Sequence, residues 1–155
     1  MIIALHIFFF IYLLIQAIYD IKNQMVLVLY NHFAILISLL GYTYFILKNI
    51  ISIQNLLINL FVTLVLLLGY YFKMYGSGDI KAMITLLFAY PYLISAYPNS
   101  LVPFLICIFI SNICMLMIYY PKQWITKTKI KNIAYFPFLL IGFISTDIIF
   151  RNYIL

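Results

Sequence analysis

Long apolar runs, separated by short polar breaks, fill almost the whole chain. A helix that crosses a lipid bilayer needs about 20 mostly apolar residues, and a chain with several such runs has few other ways to fold. The runs end at clusters such as Asp20-Ile21-Lys22-Asn23-Gln24 and Lys48-Asn49. The predicted spans are residues 2–19, 26–47, 52–72, 80–97, 101–120 and 132–150.

Composition excludes most soluble classes of protein. Of 155 residues, 68% are hydrophobic and only 8% are charged, whereas about a quarter of a soluble domain is charged. So few charges cannot solvate a globular surface, which excludes an ordinary cytosolic fold, a disordered protein and a nucleic-acid binder, despite a net charge of +6. We therefore expect an all-α, polytopic membrane bundle of about six helices, forming a single domain over residues 1–155.

Basic residues at the breaks predict the orientation of the bundle. Lysines are more frequent in loops that face the cytoplasm. Seven of the nine basic residues fall at the first, third and fifth breaks. They are Lys22, Lys73, Lys81, Lys122, Lys127, Lys129 and Lys131. This face is therefore predicted to be cytoplasmic, with both termini external.

Two aspartates at this face are candidates for catalysis. Ionisable groups at membrane spans are costly, so each suggests a functional site. Asp20 ends the first predicted span and Asp79 precedes the fourth, so both lie on the same side and could meet. Two neighbouring carboxylates can share one proton, as an aspartic protease requires. The alternative is that each is an interfacial acid paired with a lysine two residues later, Lys22 or Lys81.

Two glycines stand directly before Asp79. Gly76 and Gly78 would let backbone approach closely, as a site that admits an extended peptide requires. The alternative is an ordinary turn between helices, in which Gly-Ser-Gly is common.

The segment Gly76-x-Gly78-Asp79-Ile80-Lys81 resembles the GxGD signature of the prepilin peptidase family. These are membrane aspartic proteases that process type IV pilin-like precursors. Asp20 matches the family's first aspartate, and residues 134–142 resemble its last helix, which contains proline and glycine. Val26-Leu27-Val28 stands where the family usually has an Ile-Pro-Asn-like segment. The family's larger members have a cytoplasmic four-cysteine zinc region that this sequence lacks, so the chain resembles a minimal, peptidase-only version.

The resemblance implies an aspartic endopeptidase in the cytoplasmic membrane of a prokaryote, with its active site facing the cytoplasm. Its substrates would be pilin-like membrane precursors, cleaved after a short basic leader that ends in Gly. Asp20 and Asp79 would be catalytic, and Gly76, Gly78, Lys22 and Lys81 would shape the site. No metal or other cofactor is expected.

Two other functions are open to such a chain. A small transporter could use the intramembrane aspartates to carry protons or cations, although a coupling acid belongs near the middle of the bilayer. A non-catalytic subunit of a secretion machine would leave the Gly-x-Gly-Asp segment without a role.

The helix dipole predicts different protonation states for the two acids. Asp79 begins a helix, where the positive end of the dipole favours a carboxylate, and Asp20 ends one. We expect Asp79 to be ionised and Asp20 to hold the shared proton.

The remaining polar residues have simpler interpretations. Asp147 is expected to pair with Arg151, one helical turn later. His6 and His32 are expected to be satisfied within the bundle rather than to bind metal, and Cys107 and Cys114 to pack in the core. Trp124, with the lysines of the predicted loop at residues 121–131, is expected to anchor the chain to anionic lipid.

Overall fold

Six α-helices make up the computed structural model, which describes residues 2–23, 25–73, 75–93, 101–126 and 134–152. They are α1 (Ile2–Asn23), α2 (Val28–Leu47), α3 (Ile53–Tyr71), α4 (Ser77–Leu93), α5 (Leu101–Thr126) and α6 (Phe136–Asn152). No strand occurs in these ranges. The described part of the chain is therefore all-helical, as its apolar pattern predicts.

Four of these helices are long and apolar enough to cross a membrane. The four spans are Ile3–Asn23, Val28–Leu47, Ile53–Tyr71 and Leu101–Lys122. Helices α4 and α6 have 17 residues each, and α6 contains the shorter apolar stretch Phe136–Phe150. This pattern is compatible with a helical membrane bundle.

Two helices continue beyond the ends that the sequence predicts. Helix α1 runs to Asn23, so Asp20 lies in its last turns rather than in the break after it. Helix α5 includes Pro121 and continues to Thr126, so the predicted loop at residues 121–131 begins too early. Proline removes a single backbone donor, and a helix can continue past it with a kink. Residues 127–131 of that loop lie outside the described residues.

Helix α4 forms the centre of the bundle. It packs against α1, α2, α3 and α5, and most of its residues from Ile80 to Tyr90 are buried. A helix that is apolar on all sides is covered either by neighbouring helices or by lipid. By contrast, only Asn59 of α3 is buried, so most apolar side chains of α3 face outward, as lipid-facing side chains do.

Helix α6 packs against α5 and α1. Gly142 lies so close to α5 that a Cβ atom there would collide with the Ser111 hydroxyl and the Cys107 carbonyl. Small residues allow membrane helices to approach in this way. The packing brings the end of α1 to the start of α6, and α4 begins at the same end of the bundle.

Candidate active site

Asp20 is buried where α1 meets the start of α6. Its side chain is 6% exposed, and its Oδ2 atom accepts a hydrogen bond from the backbone N–H of Phe136 at 3.1 Å. Phe136 is the first residue of α6, whose first amides have no partner within the helix. A carboxylate is well suited to this position because it supplies an acceptor at the positive end of the helix.

Asp79 accepts a comparable hydrogen bond at the start of α4. It lies in the first turn, and its Oδ2 atom accepts the backbone N–H of Gly76 at 3.2 Å. This is the contact that an acidic residue at the third helical position makes with the residue before the helix. A Cβ atom on Gly76 would lie 3.1 Å from the same oxygen, so glycine gives the carboxylate its room.

The two carboxylates are near enough to influence each other. Asp79 lies just before the predicted fourth span, and burial raises its pKa to about 6. The Gly76 N–H opposes this rise, and the negative charge of Asp20 adds to it. Helices α1 and α4 are in contact. The structure thus brings together the two acids that the sequence singles out, although they are far apart along the chain.

Aromatic residues line the same end of the bundle. Tyr135 directly precedes Phe136, is 3% exposed, and lies within electrostatic range of Asp79. Its ring lies 6.1 Å from that of Tyr75, and its hydroxyl donates to Asn112 Oδ1 at 3.2 Å. Neither tyrosine stands in a sequence pattern that would have singled it out.

The extended segment that follows α1 packs against Gly78. It is buried, and a Cβ atom there would overlap the side chain of Val26. Residues 25–27 are not helical, and they connect α1 to α2 beside the start of α4. Gly78 therefore allows this connection to lie directly against the turn that holds Asp79.

A buried polar network fixes that connection, and sequence reasoning missed it. Gln16 is fully buried; its amide nitrogen donates to the Leu27 carbonyl at 2.9 Å and its amide oxygen accepts the Leu27 N–H at 3.0 Å. Gln16 also donates to Asn31 Oδ1 at 3.0 Å, and the Tyr12 hydroxyl donates to the same oxygen at 2.6 Å. Gln16 lies one helical turn before Asp20, on the same face of α1, and this spacing could have identified it from the sequence.

The lysines do not form the ion pairs that the simpler alternative requires. Among the described residues, neither Lys22 nor Lys81 lies within ion-pair distance of an aspartate. Lys22 is exposed. The Lys81 ammonium instead lies 3.3 Å from His32 Nε2. Both lysines thus lie near the two aspartates in the sequence but do not pair with them. The Lys81 side chain is directed towards α2 instead.

Asp147 pairs with His6, an interaction that the sequence did not suggest. Its Oδ1 atom lies 3.0 Å from His6 Nε2, which joins α6 to α1. The side chain of Arg151, the expected partner, lies outside the described residues. His6 is therefore satisfied within the bundle as expected, but by a carboxylate.

No group of three or more His, Cys, Asp or Glu side chains in the described ranges could hold a metal ion. Cys107 is buried and Cys114 is partly buried, and both are free thiols. Trp124 is 84% exposed near the end of α5, where the sequence places a lipid anchor; Lys127, Lys129 and Lys131 fall outside the described residues.

Comparisons with known protein families, with curated proteins and with solved structures found no match.

Proposed function

We propose that this chain is an integral-membrane aspartic endopeptidase that removes the short basic leader of type IV pilin-like precursors. The observation that carries the proposal is that Asp20 and Asp79 lie at the same end of the bundle, within electrostatic range of each other. Each carboxylate accepts a backbone N–H at the start of a helix, and the charge of one raises the pKa of the other.

This arrangement suits an aspartic protease mechanism. The ionised acid takes a proton from water, whose oxygen then attacks the carbonyl carbon of the scissile peptide bond. The protonated acid donates its hydrogen bond to the carbonyl oxygen, where negative charge develops. Collapse of the tetrahedral intermediate breaks the C–N bond, and the leaving nitrogen takes up the proton. The proton removed from water thus goes to the leaving nitrogen, and the two acids end the reaction with one proton between them, as they began.

The proposed topology follows from the loop charges. Six helices cross the cytoplasmic membrane of a prokaryote with both termini external, and the dyad lies at the cytoplasmic face. Helices α4 and α6 complete the set of six although they are shorter than the others, because neighbouring helices surround α4 and α6 packs on α1 and α5. Anionic lipid contacts the basic face of the bundle.

Co-expression with a candidate precursor tests the proposal. The precursor carries a short basic leader ending in Gly, followed by an apolar helix, and the product mass is measured after purification. The proposal predicts a product shortened by the leader alone. A matched precursor, in which the final Gly of the leader is replaced by a bulky residue, should remain intact. An uncut first precursor, or equal cutting of both, would contradict the proposed specificity.

A second candidate function is proton- or cation-coupled transport, and the His6–Asp147 pair is the observation that favours it. Asp147 lies three residues before the end of the predicted sixth span and His6 lies four residues after the start of the first, so the pair joins these two spans near their external ends. Carboxylate and histidine side chains that pair between membrane helices are typical of proton pathways. Liposomes that contain the purified chain and a trapped pH dye provide the test. Transport predicts a proton flux that Asp147→Asn abolishes, and the absence of flux in the wild type excludes it.

A further inference from the structure

An apolar groove runs along the outward face of α2. It has a volume of about 560 Å³ and is lined by Leu29, Tyr30, His32, Phe33 and Leu36. From Leu29 to Leu36 the helix rises about 10 Å, so the groove extends from the first turn of α2 towards the middle of the bundle. The imidazole of His32 lies near the end of the groove where α2 begins.

The ammonium group of Lys81 lies at the same end of the groove. His32 Nδ1 donates to the Val28 carbonyl at 2.8 Å, because a carbonyl oxygen can only accept. The Nε2 atom of the neutral ring is then an acceptor, and the Lys81 ammonium donates to it at 3.3 Å. An ammonium group has three donors, so two remain for another acceptor.

The part of the chain that the structure describes supplies no counter-ion to Lys81. Within the described ranges, no carboxylate lies within ion-pair distance of Lys81. The Lys81 side chain is only partly exposed, so its charge is not fully solvated. An anion at this position would compensate a charge that the fold leaves unbalanced.

We propose that this groove binds an anionic phospholipid. Its phosphate contacts the Lys81 ammonium beside His32, and one acyl chain lies against Leu29, Phe33 and Leu36. The charge at one end and the apolar lining along the rest match the two halves of a lipid, and the start of α2 is at the depth of the headgroups when the helix spans the bilayer. This inference requires a membrane-embedded chain but not peptidase activity.

Lipid retention in nanodiscs tests the proposal. The purified chain is placed in discs of phosphatidylcholine with a minority of phosphatidylglycerol, then extracted gently, and the lipids that remain bound are measured by native mass spectrometry. The wild type should retain phosphatidylglycerol in preference to phosphatidylcholine. Lys81→Gln should reduce this preference about fivefold, which corresponds to about 1 kcal/mol for one basic residue near an anionic surface.

Matched variants separate this site from the general charge of the face. Lys22→Gln removes an exposed lysine from the same end of the bundle and should leave the preference unchanged, and Lys81→Arg should preserve it. Leu36→Trp fills the groove and should reduce retention of the lipid. Circular dichroism and thermal unfolding in detergent check that each variant folds.

Several outcomes would overturn the inference. Equal retention of the two lipids by the wild type would do so, as would an equal loss in Lys22→Gln. Displacement of the bound lipid by soluble glycerol phosphate would show that the acyl chain contributes nothing. A dimer in the discs that Leu36→Trp dissociates would show that a second copy covers the groove instead.

Discussion

Among single residues, Asp79 has an electrostatic environment that departs clearly from that of a solvated carboxyl group. Burial raises its pKa to about 6, the Gly76 N–H opposes the rise, and Asp20 increases it. Two like charges at one site favour the uptake of a proton by one of them. The pair therefore has shared titration steps, and each acid should respond when the other is neutralised.

The first prediction concerns this coupling. Asp20→Asn removes the neighbouring negative charge, so the pKa of Asp79 should fall below its wild-type value. Infrared titration of the carboxyl band in protein labelled with ¹³C-aspartate measures it. Asp147→Asn, which lies more than two helical turns into α6, should leave the titration of Asp79 unchanged. An unchanged pKa of Asp79 in Asp20→Asn would mean that the acids do not share a site.

The second prediction concerns the buried polar network that holds the connection after α1. Gln16→Leu keeps the volume but leaves the Leu27 N–H without its acceptor, and an unsatisfied buried donor costs about 1–3 kcal/mol. The free energy of unfolding in detergent should fall by about this amount. Gln54→Leu changes an exposed glutamine of α3 and should have little effect. Equal effects of the two substitutions would remove the argument that Gln16 holds the connection beside Asp79.

Residue chemistry could single out the acidic residues as candidates but could not predict the contacts that each one makes. Asp20 and Asp79 stand out because the chain has only three carboxylates, and an ionisable group is costly in so apolar a sequence. The alternative pairing with Lys22 and Lys81 is not found among the described residues, where each carboxylate accepts a backbone N–H instead. The His6–Asp147 pair joins the two ends of the chain, and no local spacing predicts such a contact.

At the level of helices, the starts of α4 and α6 supply the amides that hold the two acids. The dipole of its own helix predicts that Asp79 is ionised and that Asp20 holds the proton. Asp20 does lie near the end of α1, as predicted, but its carboxylate also contacts the first amide of α6. The positive end of α6 therefore opposes the effect of α1 on Asp20, and which acid holds the proton stays a prediction.

The third prediction concerns the contact between α5 and α6. Gly142→Ala places a Cβ atom against the Cys107 carbonyl and the Ser111 hydroxyl, so one helix must shift. Overpacking of this kind typically costs about 1–3 kcal/mol, and the thermal unfolding temperature in detergent should fall. Gly69→Ala is the matched control, because its Cβ atom would meet only Tyr75 at 3.7 Å, and it should be neutral or slightly stabilising. A neutral Gly142→Ala would contradict the close approach of the two helices.

Helix content and order were accessible from the sequence, and some boundaries were not. The breaks at Lys48 and Lys73 agree with the structure, in which Asn49 and Lys73 adopt a positive φ of 57° just after α2 and α3 end. Such left-handed residues commonly end helices. The extensions of α1 to Asn23 and of α5 to Thr126 run through polar residues, which an apolar pattern cannot assign to a helix.

For the whole molecule, the proposed function requires that one face of the bundle is cytoplasmic. The end of α1 and the starts of α4 and α6 meet at that face, so a reversed orientation would expose the dyad to the opposite compartment. The fourth prediction is that a reporter inserted between residues 121 and 131 is cytoplasmic, while one fused after Leu155 is external. Paired alkaline phosphatase and fluorescent protein fusions measure this, and a cytoplasmic C-terminus would imply a different number of spans.

Single substitutions of Asp20 and Asp79 test whether this pair of acids carries out proteolysis. Asp20→Asn and Asp79→Asn each keep the shape of the side chain but remove one of the two carboxyl groups that the mechanism needs. Because the acids act as a unit, each single loss should be as severe as the double loss. The measurement is the mass of a leader-bearing precursor co-expressed with each variant, at matched levels of membrane-inserted protein. The proposed mechanism predicts the intact precursor with either variant and the shortened product with the wild type and with Asp147→Asn. Appreciable cleavage by Asp20→Asn or by Asp79→Asn would contradict it.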